Sequence, residues 1–199
     1  MKNHHLLVSV LVALLPALVV AAGKTVPCPD RKAGQWYRFA KTDLYNNKTE
    51  VLNKIDSVEG DRLIQNGGTL VTDKMFNWLR RSDRVATPKY YSSIECPFSL
   101  GETRVYKDVV FDGSQRGTGA TMTVTVEPEF ASLTVKAGSF KVVKMVSDNN
   151  WTKDAVTGRV RVVSYYAPEI GISVRTEVEA TWPERFRDVF ELLDYSLGD

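Results

Sequence analysis

The chain predicts an all-β fold: one strongly curved antiparallel meander, half-barrel or barrel-like, with little helix. Two observations predict it. Apolar and polar residues alternate with a period of two far more often than they follow helical spacing. Short turn signals then separate those runs at the spacing of consecutive hairpins rather than of strands alternating with long helices. The clearest run is Thr121-Met122-Thr123-Val124-Thr125-Val126, with threonines on one face and apolar side chains on the other. That is the pattern of a half-buried strand.

Taken in order, residues 35–42 and 49–58 are long alternating runs and predict strands, and 62–64 and 75–80 predict shorter ones. Residues 82–101, which hold Tyr90-Tyr91 and Cys96, carry the least pattern and predict a long loop. Alternation resumes at 104–111, 121–126, 140–146, 158–166 and 170–178. Residues 185–195 have an apolar beat that fits a strand or a short helix. Turn residues punctuate the runs at Glu59-Gly60-Asp61, Asn66-Gly67-Gly68, Asp112-Gly113-Ser114, Ala137-Gly138-Ser139 and Thr157-Gly158. The expected total is about nine to eleven strands, enough for a sheet to curl on itself. No linker or internal repeat divides the chain, so residues 23–199 predict a single β domain.

The N-terminus reads as an export signal. Lys2, His4 and His5 precede an almost wholly apolar run from Leu6 to Val20, and Val20-Ala21-Ala22 offers small residues for cleavage after Ala22. Residues 1–22 are therefore expected to be removed, and the protein to be periplasmic or secreted. No later apolar run is long enough to span a bilayer. Cys28 and Cys96, an even pair in an exported chain, predict a disulfide worth roughly 4 kcal/mol through loop closure. Each precedes a proline, which favours extended backbone, and the pair lacks the C-x-x-C spacing of a redox site.

Composition excludes several functions. Lysine and arginine number 26 against 24 acids, and the two signs are interleaved. That leaves no clustered basic face for nucleic acid. Both histidines, His4 and His5, lie in the leader. The mature chain thus has no imidazole for Ser-His-Asp or Cys-His catalysis, nor for most zinc and copper sites. No cofactor and no metal are expected.

The most distinctive segment runs from Tyr165 to Glu177: an aromatic pair, Ala167-Pro168, Gly171, then Val174-Arg175 and Glu177. It resembles a recurrent element of uncharacterised bacterial exported β-sheet proteins. Val135-Lys136-Ala137-Gly138-Ser139-Phe140 is similar to the strand opening that precedes it there, Gly34-Gln35-Trp36-Tyr37 to their first strand, and Pro97-Phe98-Ser99-Leu100-Gly101 to their midpoint turn. Glu169 stands where those proteins often have glycine. The resemblance implies an envelope protein with a sheet curved like that of the LolA and LolB lipoprotein carriers, and it carries over no catalytic residue.

Three function classes follow. A non-enzymatic carrier of a lipid-like or amphiphilic ligand would use aromatics near turns and strand ends, namely Tyr90, Tyr91, Tyr165, Tyr166 and Trp182, with Trp151 nearby. A glycan is the other ligand class that such aromatics suit. A glycan hydrolase would need two carboxyls from Asp108, Asp112, Glu127, Glu129, Glu177 and Glu179. Yet Arg175 shares a strand face with Glu177 and Glu179, which suits an ion-pair ladder better. An interaction module would offer a free sheet edge to an envelope protein. Ser147-Asp148-Asn149-Asn150 reads as a polar turn without an EF-hand pattern, and Asn47 and Asn150 head glycosylation sequons.

Overall fold

A computed structural model describes residues 23–112, 118–153, 156–181 and 185–198. Residues 1–22, expected from the sequence to be an export leader, and Trp182 lie outside the described residues. Among those described there is no helix. The strands are β1 (Thr25–Val26), β2 (Trp36–Thr42), β3 (Lys48–Glu59), β4 (Arg62–Gln65), β5 (Leu70–Thr72), β6 (Trp78–Arg81) and β7 (Arg84–Tyr90), followed by β8 (Phe98–Ser99), β9 (Thr103–Asp112), β10 (Thr118–Val135), β11 (Gly138–Lys153), β12 (Val156–Ala167), β13 (Ile172–Ala180) and β14 (Phe186–Ser196). All but β1 and β8, which pair with each other, close into one antiparallel barrel. Its order is β10–β11–β12–β13–β14–β2–β3–β4–β5–β6–β7–β9, with β9 returning to β10.

The all-β, barrel-like expectation holds, with particular corrections. Residues 82–101 are not one long loop: they contain β7 and β8, which the cis prolines Pro88 and Pro97 and the break at Tyr91 had disguised. Residues 75–77 form a turn, so β6 begins only at Trp78, and β5 has too few residues to show a period. Ser147 to Asn150 is not a turn but the middle of β11, where Ser147 and Asn149 are buried and Asp148 faces outward to Arg159 at 2.6 Å. Residues 185–195 take the strand alternative. The strand count also exceeds the expectation, because β1, β5, β7 and β8 carry no alternation long enough to read.

Alternation sets the two faces. Met122, Val124 and Val126 are buried while Thr121 and Thr125 are exposed, and Ile172 and Val174 are buried beside half-buried Arg175 and Glu177. On the outer wall, register places Arg187 beside Glu179, Glu179 beside Arg161, and Arg161 beside Asp148. Arg175 lies 3.0 Å from Glu177 and 3.6 Å from Glu191, so the expected ladder is present. A transmembrane barrel carries an apolar band outside. Here charged residues of both signs alternate across β11–β14 of the outer wall, while Leu52, Val85, Val105 and Val110 are apolar residues exposed elsewhere on the surface.

One end of the barrel, the lower, is closed. The β10–β11 hairpin kinks at a bulge between Val126 and Phe130, where Pro128 has no N–H to give. Its tip reaches across to β14, with the Ala137 N–H donating to Leu192 O at 3.2 Å and the Phe140 ring 6.2 Å from Tyr195. The segment before β2 closes the rest, pinned by the disulfide between Cys28 and Cys96. At the upper end β4 meets β3 only from Ile55 downward. Residues 48–53 of β3 therefore have β2 on one side and, among the described residues, no strand on the other.

Candidate functional site

The interior is not filled. A half-open cavity of about 560 Å³ occupies the barrel between the closed end and the short strands β4–β7, within the ~300–1,000 Å³ of small-molecule pockets. Its lining is graded. Phe39, Met75, Tyr166 and Ile172 are buried in it, Phe76, Trp78 and Phe190 are half-buried, and Asn66, Thr69, Arg81 and Ser82 are exposed at the rim. Hydroxyls of Thr72, Ser93, Ser164 and Thr176 stud the wall between. Arg81 is the one charged side chain among the described lining residues, and no acid joins it.

The floor is built by a turn that the chain uses twice. Thr42-Asp43-Leu44-Tyr45-Asn46-Asn47 and Thr72-Asp73-Lys74-Met75-Phe76-Asn77 share the pattern Thr-Asp-x-x-x-Asn, a short internal repeat. In the first, Asp43 Oδ1 accepts from the N–H groups of Tyr45 (2.8 Å) and Asn47 (2.9 Å), and the Asn47 amide donates to Oδ2 at 2.8 Å. In the second, Asp73 Oδ1 accepts from Met75 and Asn77, both at 2.9 Å, and the Asn77 amide donates to Oδ2 at 3.2 Å. The hydrogen bond from Asn47 holds the Asp43 carboxyl below its usual range.

In both turns the fourth residue after the threonine is left-handed, Asn46 at φ 63° and Phe76 at φ 62°. Asparagine tolerates that conformation; a bulky phenylalanine there is unusual and carries a penalty of order 1–2 kcal/mol. The surface turn uses the comfortable residue and the turn under the cavity does not. Phe76 puts its ring into the cavity floor, edge-on to Tyr37 at 5.9 Å. Strain retained in one of two otherwise matched turns points to a role for the ring.

Beneath Phe76 lies Arg31, buried at 6% exposure, its guanidinium 4.5 Å from the ring centroid. Nε and Nη2 donate to Lys74 O at 3.0 and 2.9 Å, Nη1 donates to the Tyr37 hydroxyl at 2.8 Å, and Nη2 also donates to Gly171 O. Burial lowers its pKa from the usual arginine value, partly offset by Tyr37 and Tyr166. Gly171 is left-handed at φ 69°, and a Cβ there would sit 2.7 Å from Pro29 and 3.3 Å from Arg31. The Pro168–Gly171 break in the distinctive segment is thus a turn made tight enough to receive this arginine.

Of the aromatics singled out from sequence, Tyr166 lines the cavity. Tyr90 stands one layer behind, stacked on Trp78 with ring centroids 5.4 Å apart and accepting from the Asn149 amide at 3.0 Å. Burial pushes both hydroxyls up to about 12. Tyr91 is packed in the core, its ring stacked on Tyr106 at 3.5 Å. Tyr165 lies on the outer wall near Lys144, Arg161 and Glu177, because neighbours in a strand face opposite ways. The candidate carboxyls Glu127 and Glu129 are exposed in the β10 bulge, and Glu177 and Glu179 are on the outer wall. Asn47, of the first sequon, spends its side-chain amide on Asp43.

Phe39, Phe76, Trp78, Phe190 and Arg81 were not singled out. Phe39 and Phe190 carry a usable signal, an inward position on an alternating strand. Phe76 carries another, the repeated Thr-Asp-x-x-x-Asn turn. Nothing local marks Arg81.

No protein-family model and no curated protein matches this chain. Among solved structures it is similar to a candidate lipoprotein from Parabacteroides distasonis, at TM-score 0.41 and 11% identity over 85% of this chain and 97% of that one. A candidate exported protein of YmcC-like fold from Bacteroides fragilis gives 0.39 and 13% over 88% and 100%. The hypothetical lipoprotein YmcC from Escherichia coli gives 0.49 and 9% over 80% and 84%.

Proposed function

We propose that the protein is an exported, non-enzymatic holder of one lipid-like or amphiphilic molecule, kept in the barrel cavity. The grading of the lining carries this reading: an apolar tail gains by leaving water among Phe39, Met75, Tyr166 and Ile172, while a polar head remains among the exposed groups at the rim. The strained placement of Phe76 supports it independently. Export is supported by the leader-like N-terminus and by the disulfide, which belongs to an oxidising compartment. Among the described residues no carboxyl lines the cavity, which favours holding a ligand over hydrolysing one.

Displacement of Nile red by laurate tests the reading. Binding should saturate at one chain per protein. Thr176→Trp, which places an indole in the cavity, should abolish it with little change in the unfolding midpoint. Phe76→Asn, which installs the residue used by the matching surface turn, should weaken it while the fold persists. Binding that is indifferent to both substitutions would place the ligand elsewhere and defeat the proposal.

A further inference from the structure

Resting on that cavity reading, we infer that the occupant is a single-chain amphiphile with an anionic head, and that Arg81 reads the head. The first observation is charge. A half-enclosed cavity with one arginine and no acid among its described lining residues carries an uncompensated positive charge at its rim. Several other surface arginines are paired with carboxylates: Arg38 with Glu50 and Asp194, Arg104 with Glu102, Arg159 with Asp148, and Arg187 with Glu177. Arg81 has no ion-pair partner among the described residues. Its neighbour Arg80 is occupied, donating to Gly68 O at 2.9 Å. A guanidinium left open beside the hydroxyls of Thr69 and Ser82 suits a carboxylate, sulfate or phosphate monoester, which it engages through paired, charge-assisted hydrogen bonds.

The second observation is the sign of the floor. Arg31, beneath Phe76, gives its hydrogen bonds to two carbonyls and a hydroxyl and to no carboxylate. Asp73 of the same turn acts on Arg31 through its opposite charge, so the floor adds no net sign, and the open charge of the cavity is the one at the rim, which disfavours a cationic head there. The third is size. At about 30 Å³ for each water-sized unit, 560 Å³ takes roughly nineteen non-hydrogen atoms. That accommodates one alkyl chain with its head group and falls far short of a two-chain phospholipid.

Competition against Nile red separates these claims, using laurate, 1-dodecanol, dodecyltrimethylammonium and dilauroyl phosphatidic acid on the exported protein. Laurate should displace the probe at about one-fifth the concentration that dodecanol needs, as expected for one exposed charge contact. Dodecyltrimethylammonium and the two-chain lipid should bind more weakly than either. Arg81→Gln should erase the preference for laurate and leave dodecanol unchanged, and Arg81→Lys should restore part of it. Added salt should shrink the preference in the wild type only. Equal binding of laurate and dodecanol, or a preference that survives Arg81→Gln, would overturn the anionic head. Binding of the two-chain lipid as tight as laurate would overturn the single chain. Failure of every chain to bind would overturn the cavity reading itself.

Discussion

Two arginines show how burial changes what one residue type does. Arg175 lies on the outer wall, its side chain 34% exposed, and shares Glu177 and Glu191 with water. Removing it should cost well under ~1 kcal/mol, as exposed ion pairs generally do. Arg31 is buried and satisfies the carbonyls of Lys74 and Gly171 and the hydroxyl of Tyr37. Without it those acceptors stay buried and unpaired, so Arg31→Met should cost about 3 kcal/mol or more. Arg31→Lys should recover little, because an ammonium has no planar fork to span acceptors on different segments. Urea melts of the three variants check this. A loss at Arg175 equal to that at Arg31 would contradict the assignment of inner and outer faces.

At the scale of elements, the two Thr-Asp-x-x-x-Asn turns are a matched pair placed in different surroundings. The Asp43 turn caps β2–β3 at the surface, where water can replace its hydrogen bonds. The Asp73 turn lies under the cavity, and Asp73 also holds Lys89 at 3.2 Å. Asp73→Ala should destabilise by about 2–4 kcal/mol, since the N–H groups of Met75 and Asn77 would be left buried without acceptors. Asp43→Ala should shift the melt far less. Thermal melts compared side by side decide it, and equal shifts would mean that burial does not separate the turns. The short strands β4–β7 matter for a different reason. By stopping below residues 48–53 of β3, they leave the open mouth of the cavity.

For the whole molecule, closure gives every barrel strand a neighbour on each side, although stretches such as residues 48–53 of β3 and 103–109 of β9 keep one side without a strand partner among the described residues. Closure also buries hydroxyls that an open sheet would expose. Burial pushes Tyr90 and Tyr166 up to about 12, above the tyrosine value of 10.0. A raised folded-state pKa contributes stability that is fully present below the unfolded pKa. Stability should therefore be unaffected by these groups below pH ~10 and should fall as pH rises from ~10 toward ~12. Denaturant melts across that range, paired with tyrosinate absorbance, measure it. Both tyrosines ionising freely near pH 10 with no loss of stability would show that the interior is open to water.

Much was legible in the residues themselves. Period-two alternation fixes which side chains share a face of a strand, so it determined the all-β class, the buried row Met122–Val124–Val126 and the outward ladder at Arg175 and Glu177. The paired cysteines and the absence of histidine after His5 needed no structure either. These are local properties, set by the geometry of one strand or by composition. The cavity is not local. Phe39, Phe76, Trp78, Tyr166, Arg81 and Phe190 come from β2, a turn, β6, β12 and β14, and only barrel closure brings them to one space. Bulges between Tyr165 and Tyr166 and within β6 shift register in ways that no period records. Arg31 carries no local signal, because the backbone acceptors it serves lie 43 and 140 residues away. Tertiary structure alone decided these, because which faces meet depends on strand length and register summed around the whole barrel.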